Sequence, residues 1–166
     1  MIDYIKQIRI GIEKDLTLLA LASSLTLPDI LGGIQTGKQA SKESYLKWYS
    51  ENMMPIFPDL TAEECWDFRC RFLHQGQTTS RTQNYYSHIA FSESKNISLN
   101  IRSSAVGIHV GPKFIDVFKF VNLMCDCSLK WIEVNQKREE IKVRINNCVS
   151  RHTEGYPPLM NLPVIY

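Results

Sequence analysis

Two residues in this chain have the types and spacing to act on a phosphate. Arg69 and His74 stand with four residues between them in the run Arg69-Cys70-Arg71-Phe72-Leu73-His74. A guanidinium keeps its charge and presents a planar fork of donors, while histidine is the side chain that exchanges a proton near neutral pH. Paired, they offer charge neutralisation and acid–base catalysis without a protein nucleophile.

The element that must position them is a helix. Thr61 with Glu64 three residues later forms a capping-box pattern, and Gly76 supplies a stop, so the sequence predicts a helix from about Thr61 to Gln75. At 100° per residue, Cys65, Phe68, Phe72 and Leu73 gather on one face, and Asp67 and Arg71 fall opposite as a solvated pair. Arg69 lands among the apolar residues. Buried there alone it would cost several kcal/mol, so it demands a carboxylate, a carbonyl cluster or a phosphate. Glu43, Glu63 and Asp67 are the acidic candidates for an internal partner. His74 lies about 140° further round and roughly 7.5 Å along the axis. The two therefore flank a second face made by Trp66, Cys70 and Leu73.

An arginine followed by histidine after four residues, late in a helix and ahead of a glycine, resembles the signature of the HEPN superfamily. These are all-α domains that include metal-independent endoribonucleases. The resemblance implies that Arg69 and His74 form the catalytic pair and that two protomers join as a homodimer, both motifs lining one cleft. Where the family often has Asn, Asp or His after the arginine, this chain has Cys70. Arg71, Gln75 and Gln77 are the accompanying substrate-binding candidates. The resemblance also admits an antitoxin or other protein as partner.

Composition agrees with a single domain over residues 1–166. A chain of that length buries about 70% of its unfolded surface in one core, so neither disulfide nor metal is needed for stability. A net charge of +2 is too small to argue for nucleic acid by itself, and an RNA site would have to be a local patch. Five cysteines, at 65, 70, 125, 127 and 148, lack zinc-ribbon spacing and lie mostly in apolar runs, as reduced thiols of a cytoplasmic protein do. Cys70, between two arginines, is the one thiol with basic neighbours. No metal or cofactor is expected, because His88 and His109 have no carboxylate pair at ligand spacing. The charged N-terminus is not organised as a signal peptide, and the apolar run 16–27 is too short to span a bilayer, so no membrane is expected.

The rest of the chain reads as a mainly α bundle of four to five helices. Ile2, Ile5, Ile8, Ile12, Leu16 and Leu19 recur at helical steps over about twenty residues, with Pro28 as the stop. Residues 29–37, with three glycines, read as a loop; Gly37-Lys38 lacks the spacing and the preceding strand of a phosphate-binding loop. Ser41 caps a helix carrying Tyr45, Leu46, Trp48 and Tyr49, ended by Pro55 and Pro58. Residues 77–84 make a polar loop behind His74. Short β-branched runs at 85–91, 97–102 and 105–110 predict a small antiparallel β-insertion at about 84–111. Pro112 opens a long helix whose face carries Phe114, Val117, Phe118, Val121, Met124, Leu129 and Trp131. An extended tail at 156–166, with three prolines, packs on the body.

The resemblance implies RNA cleavage by the RNA's own 2′-hydroxyl at a dimer cleft. The competing expectation is a non-catalytic module of the same fold, binding RNA, a nucleotide or a protein, in which Arg69 pairs internally and His74 caps the helix end.

Overall fold

The computed structural model describes residues 1–79, 89–94 and 112–165. Its architecture is mainly helical. Ile5, Ile8 and Ile12 form the buried stripe of α1 (Ile2–Glu13). The predicted single N-terminal helix is broken at Asp15, whose φ of 60° is left-handed, a conformation that aspartate tolerates better than most residues. After this turn come α2 (Thr17–Ser24) and α3 (Leu27–Thr36). Pro28 therefore opens a helix instead of ending one. It sits in the first turn of α3, where its missing N–H would have had no intrahelical acceptor anyway. The expected glycine loop at 29–37 is helix, and only Gly37, at φ 68°, leaves it as the left-handed C-cap. Gly32 is what lets α3 approach α4 (Lys42–Asn52): a Cβ there would lie 2.6 Å from the Ser44 carbonyl oxygen.

The capping predictions hold. Ser41 and Ser44 form a reciprocal box at the start of α4, and Thr61 and Glu64 do the same for α5 (Ala62–Gln75), which Gly76 ends at φ 63°. Tyr45, Trp48 and Tyr49 are fully buried, as core and not as a surface platform. A chain of ring contacts, Phe72 to Phe68 (5.3 Å), Phe68 to Phe91 (5.1 Å) and Phe91 to Phe120 (5.3 Å), fixes the other side of α5. Each large apolar side chain so buried contributes about 1.5–3 kcal/mol.

The strand prediction is corrected. Of the expected insertion, β1 (Ile89–Ser92) is described, and it pairs in parallel, not antiparallel, with β2 (Lys113–Asp116), in register Ile89 to Lys113 through Ser92 to Asp116. The runs at 97–102 and 105–110, with His88 and His109, lie outside the described residues. Pro112 precedes a strand, and the long helix α6 (Val117–Asn135) starts later, capped by Asp116 through the Lys119 N–H at 2.9 Å. Then follows α7 (Glu139–Asn146), tied to α3 by Arg144, which donates to the Ile34 carbonyl at 2.9 Å. That makes seven helices among the described residues where four or five were expected. The tail pairs with itself through β3 (Arg151–His152) and β4 (Val164–Ile165), and Leu159, Leu162 and Ile165 stay exposed, contrary to the expected packing on the body. Thr17–Thr36 is the one helical stretch, among the described residues, apolar and long enough to cross a membrane; 56% of it is buried, including Leu21, Leu25, Leu27 and Leu31 of the core.

Candidate functional site

The site begins with the demand of Arg69 for a partner. Asp29 meets it: its Oδ2 accepts from Arg69 Nε at 2.9 Å and from Nη2 at 2.8 Å. None of the three expected carboxylates, Glu43, Glu63 and Asp67, takes this role. Glu63 pairs with Lys42, and Asp67 with Arg71. Both side chains of the pair are largely covered, Arg69 at 17% exposure and Asp29 at 14%. The Trp66 ring roofs the guanidinium at 5.3 Å, and Trp66 is itself braced edge-on by Tyr45 at 5.0 Å. Burial pushes the Asp29 carboxyl up, and the Arg69 guanidinium beside it pulls it back only in part.

The opposite edge of the guanidinium points outward. Nη1 lies 3.0 Å from Nε2 of His74, which is exposed at the end of α5. The two residues thus do not stand apart on either side of the Trp66, Cys70 and Leu73 face; the long arginine side chain crosses it and touches the imidazole. Since arginine has only donors, His74 Nε2 must carry its lone pair while this bond exists, with any ring proton on Nδ1. Cys70 Sγ is a further, distant acceptor for Nη1 at 4.0 Å. The result is a chain from a half-buried carboxylate, through a fixed cation, to a surface base.

The other predicted residues separate from this centre. Arg71 is not a solvated residue. Its side chain is 15% exposed and lies 3.9 Å from Asp67, and its Nη1 donates to Thr79 Oγ1 at 2.9 Å. It leaves the helix about 200° round from Arg69, one turn before His74, and its contacts are with Asp67 and Thr79. Gln75 and Gln77 are exposed beside His74, and the Gln77 N–H closes the helix on the Arg71 carbonyl at 3.3 Å. Of the loop expected behind His74, residues 80–84 lie outside the described residues.

Asp29 is the residue that sequence reasoning missed. Its signal was present: Pro28 followed by an acid is the usual composition of a helix's first turn. All five cysteines are free. Burial raises the thiols of Cys65 to about 12 and of Cys125 and Cys127 to about 11, so none of these three is a nucleophile. Among the described residues no three His, Cys, Asp or Glu side chains converge at metal distance. No family model matches the chain, and neither a curated protein nor a solved structure is significantly similar to it.

Proposed function

We propose that this chain is an HEPN-like, metal-independent endoribonuclease that works as a homodimer. The observation that carries the reading is the contact between Arg69 Nη1 and the exposed His74 Nε2, made while Asp29 holds the other edge of the guanidinium. In the reaction His74 of one protomer removes the proton from a ribose 2′-hydroxyl. That oxygen bonds to phosphorus, and the bond to the 5′-oxygen breaks as the partner's His74 returns a proton to it. Arg69 neutralises the charge that builds on the pentacoordinate phosphate. The products are a 2′,3′-cyclic phosphate and a 5′-hydroxyl.

The test is cleavage of single-stranded RNA, with and without chelator, by the wild type and by His74→Ala and Arg69→Ala. Cleavage that survives chelation, leaves a 2′,3′-cyclic end, spares the matching DNA and disappears in both variants is the expected result. A second reading has its own observation, the cross-helix Arg69–Asp29 pair, which could serve only to bind α5 to α3 in a non-catalytic module that engages RNA, a nucleotide or a protein. On that reading the wild type leaves RNA intact, and Arg69→Ala chiefly lowers the melting temperature.

A further inference from the structure

The guanidinium of Arg69 has five N–H groups, and they are not equally committed. Two, on Nε and Nη2, point at the Asp29 carboxylate at 2.9 and 2.8 Å, both on the same oxygen. Those on Nη1 face neutral or weak acceptors: His74 Nε2 at 3.0 Å and Cys70 Sγ at 4.0 Å. Charge-assisted hydrogen bonds are about twice as strong as neutral ones. An anion arriving at the exposed edge of Arg69 will therefore displace the imidazole and the thiol, and leave the carboxylate in place.

This ordering has a consequence for His74. While Nη1 donates to it, Nε2 cannot accept a proton from anything else. We propose that Asp29 is a positioning residue which, through Arg69, holds His74 in a masked resting form protonated on Nδ1, and that a phosphodiester unmasks Nε2 by taking Nη1 for itself. The base is then exposed only when the group it acts on is already bound. The proposal rests on the ribonuclease reading for its substrate, but its structural half can be tested without turnover.

Nitrogen-15 spectra of the imidazoles at alkaline pH report which ring nitrogen carries the proton. In the free wild type His74 should show the Nδ1-protonated pattern. Adding a 2′-O-methyl oligoribonucleotide, which has the phosphates but no attacking hydroxyl, should shift the His74 Nε2 resonance away from its hydrogen-bonded position. Asp29→Asn should remove the tautomer preference without oligonucleotide. Arg69→Lys provides a second variant, since an ammonium can stay with Asp29 but has no fork with which to hold both neighbours; it should lose the preference as well. In an active enzyme Asp29→Asn should lower kcat by up to about 100-fold, the cost of a misplaced catalytic group, with a smaller change in KM. An Nε2-protonated His74 in the free wild type, a tautomer unchanged by Asp29→Asn, or a loss confined to KM would each overturn the proposal. A wild type that cuts no RNA would instead overturn the ribonuclease reading, and the spectra of the free protein would still decide whether Asp29 sets the tautomer.

Discussion

Glu64 and Lys113 join the first turn of the site helix to β2, and removing them one at a time should give unequal costs. Lys113 Nζ lies 3.0 and 2.9 Å from the two Glu64 oxygens, with its side chain at 4% exposure against 27% for Glu64. Glu64 has further partners, since its Oε2 accepts from the Thr61 N–H at 2.8 Å and the Thr61 hydroxyl at 2.9 Å. In Lys113→Met the carboxylate keeps its cap contacts and some water, so the loss should be about 1 kcal/mol. In Glu64→Gln the ammonium stays buried and keeps its other contacts but loses the carboxylate, and breaking a buried pair from that side costs about 3–5 kcal/mol. The retained amide oxygen places this case near 3 kcal/mol. For a chain of this size each kcal/mol moves the melting temperature by about 2–4 °C. Glu64→Gln should therefore fall by about 6–12 °C and Lys113→Met by about 2–4 °C in a thermal melt. Urea midpoints should keep the same order. Burial pushes the Glu64 carboxyl up, but the Thr61 N–H and Lys113 outweigh it and hold it below the ordinary carboxylate range. Its unfolded form thus binds protons more tightly than its folded form, and this stability is present above the unfolded pKa and is lost as pH falls through the folded one. Glu64→Gln should flatten that acid limb. Equal costs for the two variants, or a larger one for Lys113→Met, would refute the reasoning from burial.

The site pair should behave differently: Asp29→Asn should cost less than Glu64→Gln at neutral pH, because folding disfavours the charged carboxyl there and the outer edge of Arg69 has its own contact with His74, as a urea titration can check. Two glycines should separate crowding from backbone strain. Gly32→Ala drives a Cβ to 2.6 Å from the Ser44 carbonyl and should cost about 1–3 kcal/mol while shifting α3 and Asp29, whereas Gly76→Ala meets nothing within 4 Å and should cost about 1 kcal/mol from its positive φ alone. Cys65, Cys125 and Cys127, with thiols raised to between about 11 and about 12, should resist iodoacetamide in the native protein and react in urea, as peptide mass mapping would show.

Helix ends and faces were legible where a local rule decides them. The Ser41 cap, the Thr61–Glu64 capping box, the Gly76 stop and the burial of Tyr45, Trp48 and Tyr49 follow from local pattern; that Ser44 would close the Ser41 cap into a box does not. Proline was misread because it both ends helices and begins them. At Pro28 the first-turn acid decides for a beginning, and at Pro112 the following residues enter a parallel strand pair that no local signal announces. The partner of Arg69 was illegible for a related reason. The need for a counter-charge is a property of one residue, but the identity of that charge depends on how α3 packs, across 40 positions of sequence. Once residues 29–37 read as a loop, Asp29 had no place from which to reach α5.

Two of the cation–carboxylate pairs on α5, Glu64 with Lys113 and Arg69 with Asp29, show why the site pair is not simply a second brace. Glu64 carries backbone and hydroxyl donors besides Lys113, and folding favours its charged form. Asp29 meets Arg69 through a single oxygen, is less exposed, and has its carboxyl raised despite the cation. Where burial outweighs the cation, a carboxylate is a costly way to brace α5 to α3, since replacing a whole buried pair by well-packed apolar groups is often harmless. What the charge at Asp29 does supply is orientation: it fixes two nitrogens of a guanidinium whose third nitrogen touches the exposed imidazole of His74. Cost at the carboxylate and order at the histidine are the arrangement expected where a charge is kept for chemistry, which supports counting Asp29 with Arg69 and His74 in the proposed ribonuclease.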